Sequence, residues 1–251
     1  MPIHYARRLT GANRTESANR HLGVALAFVA GATNAGGYLA VQQYTSHMTG
    51  IVSSMADHLV IGTSDVVLAG LGALLAFILG AACSAVMVNY GRRRRMHSKY
   101  ALPLLLEAFL LMCFGLLGGW LEAVRGLFVP ATVMLLCFIM GLQNALITKL
   151  SRSEIRTTHL TGIVTDIGIE LGKLFYFNVG ASGEPGVRAN RERLRILLLL
   201  LLSFFAGGIA GALGFTHVGY VSTIPLAAVL VVLATVPAVD DLTHRVRRPA
   251  R

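Results

Sequence analysis

The sequence predicts an all-α membrane protein: six transmembrane helices in two inverted-topology three-helix repeats, each repeat carrying one short polar re-entrant or half helix. Three observations predict it. First, 55% of the residues are hydrophobic, 14% are charged and the mean hydropathy is +0.65. A soluble domain cannot hide that much apolar surface, so lipid is the natural solvent. Second, one polar phrase is written twice, as GATNAGGYLAVQQYTSHMTGIV from Gly31 and as GLQNALITKLSRSEIRTTHLTGIV from Gly141. Third, Lys and Arg are distributed very unevenly between the segments that would lie on either side of a membrane.

In chain order, residues 1–20 form a polar, basic tail, and no cleavable signal peptide is expected there. Six apolar segments follow, at about 21–42, 66–90, 101–121, 127–148, 194–215 and 222–239. Runs such as LLAFILGAACSAVMV and ILLLLLLSFFAGGIAGALG are typical of spans, which need about 20 mainly apolar residues. Pro225 is a candidate start for the last one. Two stretches, 48–62 and 160–178, have a helical pattern but are polar for lipid, the first through Ser53, Ser54, Asp57 and His58 and the second through Thr165, Asp166, Glu170 and Lys173. Residues 240–251 close the chain with a second basic tail. Cys83, Cys113 and Cys137 all lie in apolar runs without metal-type spacing and read as packing residues.

Whether the two polar stretches cross decides between six and eight spans. Basic residues are retained on the cytoplasmic side. With six spans and a cytoplasmic N-terminus, every one of the 22 Lys and Arg except Arg125 falls inside, and both termini are cytoplasmic. With eight, the GRRRRMHSK loop and Lys149, Arg152 and Arg156 move outside. Six is the reading. Tyr44, Trp120 and Tyr220 then fall at outer ends, with Tyr90 and Tyr100 at inner ends, as interfacial aromatics do. The formal charge of +10 reports this orientation, and no nucleic-acid partner is expected.

The halves correspond beyond the opening phrase. LLAFILGAACSA resembles LLSFFAGGIAGA, which sets Gly80 over Gly207, and LPLLLEAFLL resembles IPLAAVLVVL, which sets Pro103 over Pro225. Repeat 1 covers 21–122 and repeat 2 covers 123–239. Three spans is an odd number, so repeat 2 enters the membrane from the opposite side. A helix of about 15 residues is roughly 22 Å long, short of about 30 Å of hydrocarbon. The two polar helices are therefore expected to dip and return, their His-x-Thr-Gly corners converging near the midplane, where repeat interfaces commonly hold transported solutes. Lying flat at the interface is the alternative; the duplicated phrase and the polar stripes, read as buried, weigh against it.

On these residues, GATNAGGYL with YTSHMTGIV and GLQNALITKL with RTTHLTGIVTDIGIELG, the chain resembles the YoaK family of bacterial membrane proteins, the DUF1275 domain. The resemblance covers roughly residues 20–240. It implies a six-span, multi-pass protein of the bacterial cytoplasmic (inner) membrane, with no established substrate. The chain departs from the family's pattern at Asn34, where many members carry Asp, and at Ile51, where many carry Asn.

For translocation the candidates are His47, Thr49 and Gly50 with their counterparts His159, Thr161 and Gly162, and the intraspan pair Asn34 and Asn144. Histidine can carry a proton near neutral pH or brace a corner. The threonines can cap free helix amides, and the glycines allow close approach. Asn offers a donor and an acceptor, for a solute or across a repeat interface. Coupling candidates are Asp57, Asp166, Glu170 and Glu107; an intramembrane carboxylate is a functional candidate by default, while Lys173 and nearby arginines offer Asp166 and Glu170 a structural role. The strips Gly80–Ser84 and Gly207–Gly211 suit close packing, within the protomer or in a homo-oligomer. The leading expectation is a transporter or channel-like permease for a small polar or ionic solute, with lipid as surrounding partner. A membrane sensor or accessory subunit is the alternative. An intramembrane metal-dependent enzyme is a third, unsupported by any HExxH, GxSxG or paired-Cys signature. No cofactor and no metal are expected.

Overall fold

The computed structural model describes residues 16–94, 96, 100–121, 125–150, 160–176 and 186–246. Its α-helices, in chain order, are α1 (Glu16–Val41), α2 (Met48–Ile61), α3 (Ser64–Arg93), α4 (Ala101–Leu121), α5 (Arg125–Leu150), α6 (Leu160–Phe175), α7 (Arg191–Val218) and α8 (Thr223–Val246). A 3-10 turn, Gly219–Ser222, joins α7 to α8. All-helical structure is what lipid demands, since each helix satisfies its own backbone amides. Four stretches are long and apolar enough to cross a membrane: Arg20–Val41, Ser64–Arg93, Val129–Lys149 and Arg191–Thr235, the last running from α7 into α8. Met48–Ile61 and Ala101–Leu116 are shorter apolar helices.

The polar stretches expected at 48–62 and 160–178 are helices, ending at Ile61 and Phe175. The last helix runs past the expected 239, because hydropathy marks the apolar part of a helix and not its end.

Contacts between helices fix their directions. Ser203 donates to the carbonyl of Val24 at 2.8 Å, and Phe215 reaches Gly36, so α1 and α7 run parallel. Gly72 meets Met134, and Lys149 donates to Asn89 at 3.4 Å, so α3 and α5 also run parallel. Gln143 donates its amide to the carbonyl of Leu26 at 3.2 Å while Gly37 meets Leu136, which makes α1 and α5 antiparallel. Thr223 donates to Leu111 at 3.0 Å and Tyr220 covers Gly118, which makes α4 and α8 antiparallel.

Four glycines set the two parallel crossings. A methyl group at Gly31 would overlap the carbonyl oxygen of Phe204, and one at Gly207 would overlap that of Phe28. The α3–α5 crossing repeats this with the halves exchanged: Gly141 sits on the Phe77 carbonyl and Gly80 on the Phe138 carbonyl. Without hydrophobic driving force inside lipid, such close backbone approach is what holds helices together. Leu26, Leu104, Leu136, Met140 and Leu230 fill the space between them. The outer flanks are apolar and exposed, with Val86 at 68% on α3 and Phe205 at 65% on α7, as lipid-facing surfaces are.

These directions gather one set of helix ends: the starts of α1 and α7, paired by Arg20 and Glu192, with the ends of α3 and α5. That end carries Arg20, Arg92, Arg93, Arg94, Lys149, Arg191, Arg193 and Arg195, and is called the basic end below.

Candidate functional site

The connection after α1 turns back along its own helix. Gln42 adopts φ 54 and starts the reversal, and Tyr44 stacks on Tyr38 at 4.4 Å between ring centroids. Thr45 is fully buried, and Ser46 donates to Oδ1 of Asn34 at 2.9 Å. From Asn34 to Val41 the helix rises about 10 Å, so the chain has descended by about that much before α2 begins. His47 then caps α2 through its backbone, its carbonyl accepting from Ile51 at 3.1 Å, with no side-chain cap bond. Its ring lies against Gly50, where any side chain would displace it. Thr49 is one residue inside the helix, not the expected cap, and is exposed.

α2 climbs back along α3. Ile51 and Met55 press onto Gly70, His58 donates Nδ1–H to the carbonyl of Ser54 at 2.8 Å, and Gly62 at φ 88 closes the helix in the left-handed conformation. That turn delivers the chain directly into α3.

The second half builds the same hairpin at the opposite end of the molecule. Ile163 and Ile167 of α6 are buried against the α7 side, in one core with Leu197. Asp166 accepts from Arg193 at 2.9 Å. Glu170, 2% exposed, accepts from Lys173 at 2.9 Å and from the backbone N–H of Asn190 at 2.7 Å, while Asn190 caps α7 by accepting from Arg193 N at 3.0 Å. The Asn190 N–H first, then Lys173, holds the Glu170 carboxyl below the usual carboxylate range. Asp166 and Glu170, two of the four coupling candidates, are thus engaged in fastening α6 to the start of α7.

One expectation needs correction. Apart from Glu170, the polar stripes are not buried: Thr49, Ser53, Asp57, Thr161, Gly162 and Thr165 are all exposed, because Ile51, Met55, Ile163 and Ile167 take the packing face. The Thr165 hydroxyl folds back onto the carbonyl of Thr161 at 2.8 Å. The short helices have different supports: α2 packs on α3 and α6 on α7. The order α3–α5–α1–α7 sets these supports on opposite flanks. His159 lies outside the described residues.

Asn34 and Asn144 hold equivalent positions, yet their surroundings differ. Asn34 is half-buried and bonded to Ser46; Asn144 is buried, and its Oδ1 has no partner. Glu107 is fully buried in α4 with neither oxygen partnered. Asp57 stands exposed on α2. Sequence reasoning missed Ser46, although a serine just before a duplicated corner and within reach of an intraspan Asn was a usable signal. It also missed the Arg20–Glu192 pair, while the neutralisation of Asp166 and Glu170 by an arginine and Lys173 was anticipated without naming Arg193. Among the described residues no group of three or more His, Cys, Asp or Glu is arranged to hold a metal ion.

A family model described as a protein of unknown function (DUF1275) matches residues 22–236. The chain is also similar to the UPF0700 transmembrane protein YoaK of Bacillus subtilis (strain 168), 31% identical over 155 residues that make up 60% of this chain and 67% of that protein. No solved structure matches it. With its long apolar helices, the chain belongs to the DUF1275 family and is a multi-pass transmembrane protein embedded in the lipid bilayer.

Proposed function

We propose that the protein is a permease for a small polar or ionic solute, built from six spans as two three-span repeats of inverted topology. Each repeat presents one corner to its own side of the membrane. The observation that carries the reading is the exchanged pair of glycine crossings. The first helix of each repeat crosses the second long helix of the other, Gly31 and Gly207 in one case and Gly141 and Gly80 in the other. The α1–α7 pair runs opposite to the α5–α3 pair, as a two-fold axis in the membrane plane requires. Inverted repeats of this kind are the common architecture of secondary transporters, since rocking one half against the other exposes equivalent surfaces in turn.

The corner that best fits a solute is the one facing away from the basic end, made by Asn34, Ser46, His47 and Thr49. Asn144, Thr161 and Gly162 supply its counterpart at the basic end. The descent of the 42–47 connection to the level of Asn34 supports re-entry of the first hairpin, and the run of α6 along α7 supports it for the second. With the basic end inside, both termini are cytoplasmic, consistent with retention of basic residues on that side.

Shrink–swell measurements on proteoliposomes test this, with neutral amino acids, small monocarboxylates and alkali chlorides as osmolytes. At least one class should re-enter faster than into protein-free vesicles, and His47→Ala should slow it about tenfold, the rate equivalent of about 1.4 kcal/mol. Entry of every osmolyte at the protein-free rate would contradict the reading.

A further inference from the structure

Halfway between the basic end and the middle of the bundle, one layer collects buried oxygens. Glu107 on α4 is 0% exposed, and neither carboxyl oxygen has a hydrogen-bond partner. Gln143 on α5 is 0% exposed; its amide nitrogen serves Leu26, and its Oε1 is unpartnered. Asn144 Oδ1 beside it and Ser84 Oγ on α3 are buried and unpartnered too.

Helix geometry sets these groups at one depth. The Tyr100 hydroxyl donates to the carbonyl of Lys149 at 3.4 Å, which pins the start of α4 to the end of α5. From Tyr100 forward to Glu107, and from Lys149 back to Gln143, is about 10 Å in each case at 1.5 Å per residue. Gly80 touches Phe138 where α3 runs parallel to α5, so Ser84, one turn further, comes level with Leu142.

Charge makes the layer informative. An ionised carboxylate cannot stand alone in such a place: it takes up a proton or holds a cation. The helices packed on α4 offer no basic partner at this depth among the described side chains. α8 presents apolar and hydroxyl side chains through Thr235. α5 brings Cys137 and, about 9 Å nearer the basic end, Lys149, which donates to Asn89. α3 brings Cys83 and, at its end, Tyr90, Arg92, Arg93 and Arg94. α4 itself adds Tyr100 and Cys113.

We propose that Glu107, with the unpartnered oxygens of Ser84 and Asn144 at its depth, forms an intramembrane site for one exchangeable monovalent cation, H⁺ or Na⁺. The unpartnered atoms are carbonyl, carboxyl and hydroxyl oxygens, which are hard ligands for an alkali cation and equally acceptors for the proton of a neutral Glu107. One carboxyl balances one positive charge, which disfavours a divalent ion and excludes an anion. The repeat counterpart of Glu107 is Val229, so there is one such site per chain. It is defined by binding and stands or falls separately from the permease reading.

Labelling by dicyclohexylcarbodiimide tests it, since the reagent attacks protonated carboxyls in apolar surroundings. The full chain in lipid nanodiscs is treated between about pH 5 and about pH 10, a range spanning ordinary and strongly shifted carboxyls. Sodium chloride is compared with choline chloride, and labelled Glu107 is quantified by peptide mass spectrometry. Protection by Na⁺ of about tenfold or more, as nine-tenths occupancy gives, identifies sodium. Labelling that falls with rising pH and ignores Na⁺ identifies the proton. Labelling that is absent, or keeps one rate under every condition, overturns the site. Glu107→Gln gives a second readout: the thermal midpoint of the wild type should move with whichever cation protects, and that of the variant should not.

Discussion

The hydroxyl of Ser46 and the amide oxygen of Asn34 show how one hydrogen bond carries the fold of a corner. Position 34 needs an acceptor, and either an amide or a carboxylate supplies one. Asn34→Asp is therefore expected to keep the corner, whereas Asn34→Leu loses the bond and destabilises the protein by about 1 kcal/mol, read as a lower thermal midpoint in detergent. Equal midpoints for both variants would make the bond incidental. Glu170 gives a pH prediction at the same scale. Its carboxyl is held below its unfolded value by Asn190 and Lys173, so its anchoring of α6 is fully present at neutral pH. It is lost only as pH falls through that depressed value. Hydrogen exchange in α6 should accordingly rise in acid for the wild type, and already be raised at neutral pH in Glu170→Gln; an unchanged variant would deny Glu170 that role. The residues themselves were legible in the sequence, since polar groups stand out in apolar runs. Their partners were legible only in part: Lys173 for Glu170 was, whereas the choice of Arg193 for Asp166 and the meeting of Arg20 with Glu192 come through folding alone.

Each short helix behaves as one arm of a hairpin whose other arm is the next long helix. Periodicity gave the existence and span of α2 and α6 to within a few residues, because Ile51, Met55, Ile163 and Ile167 recur at helical spacing. It could not decide which face wins. Polar stripes looked buried when the helices were assumed to meet, yet the apolar face is the one that packs. The glycine strips were likewise visible, but not that each glycine receives a backbone carbonyl from the other half of the chain. Because the crossings are equivalent, Gly80→Ala and Gly207→Ala should destabilise to similar extents, about 1–3 kcal/mol each. Gly168→Ala, on an exposed face with open space around it, should be neutral. Thermal unfolding of the three variants checks this; a harmless Gly80→Ala beside a costly Gly207→Ala would break the equivalence.

For the whole molecule, the uneven placement of charge carried most of the information. Gathering Arg20, Arg92, Lys149 and Arg191 at one end follows from helix directions that were inferred from basic residues alone and recur in the contacts between helices. The lateral order α3–α5–α1–α7 had no such trace, since nothing in a single chain's hydropathy says which span neighbours which. That order sets α3 and α7, the supports of the two short helices, on opposite flanks. Opposed hairpins on one inverted repeat remain the central claim. Its most direct test is cysteine accessibility in intact cells with a membrane-impermeant maleimide, using Ser64→Cys between α2 and α3 and Gly186→Cys between α6 and α7, in a background lacking Cys83, Cys113 and Cys137. The account predicts labelling of Ser64→Cys from outside and of Gly186→Cys only after the cells are opened; labelling of both from the same side would contradict it.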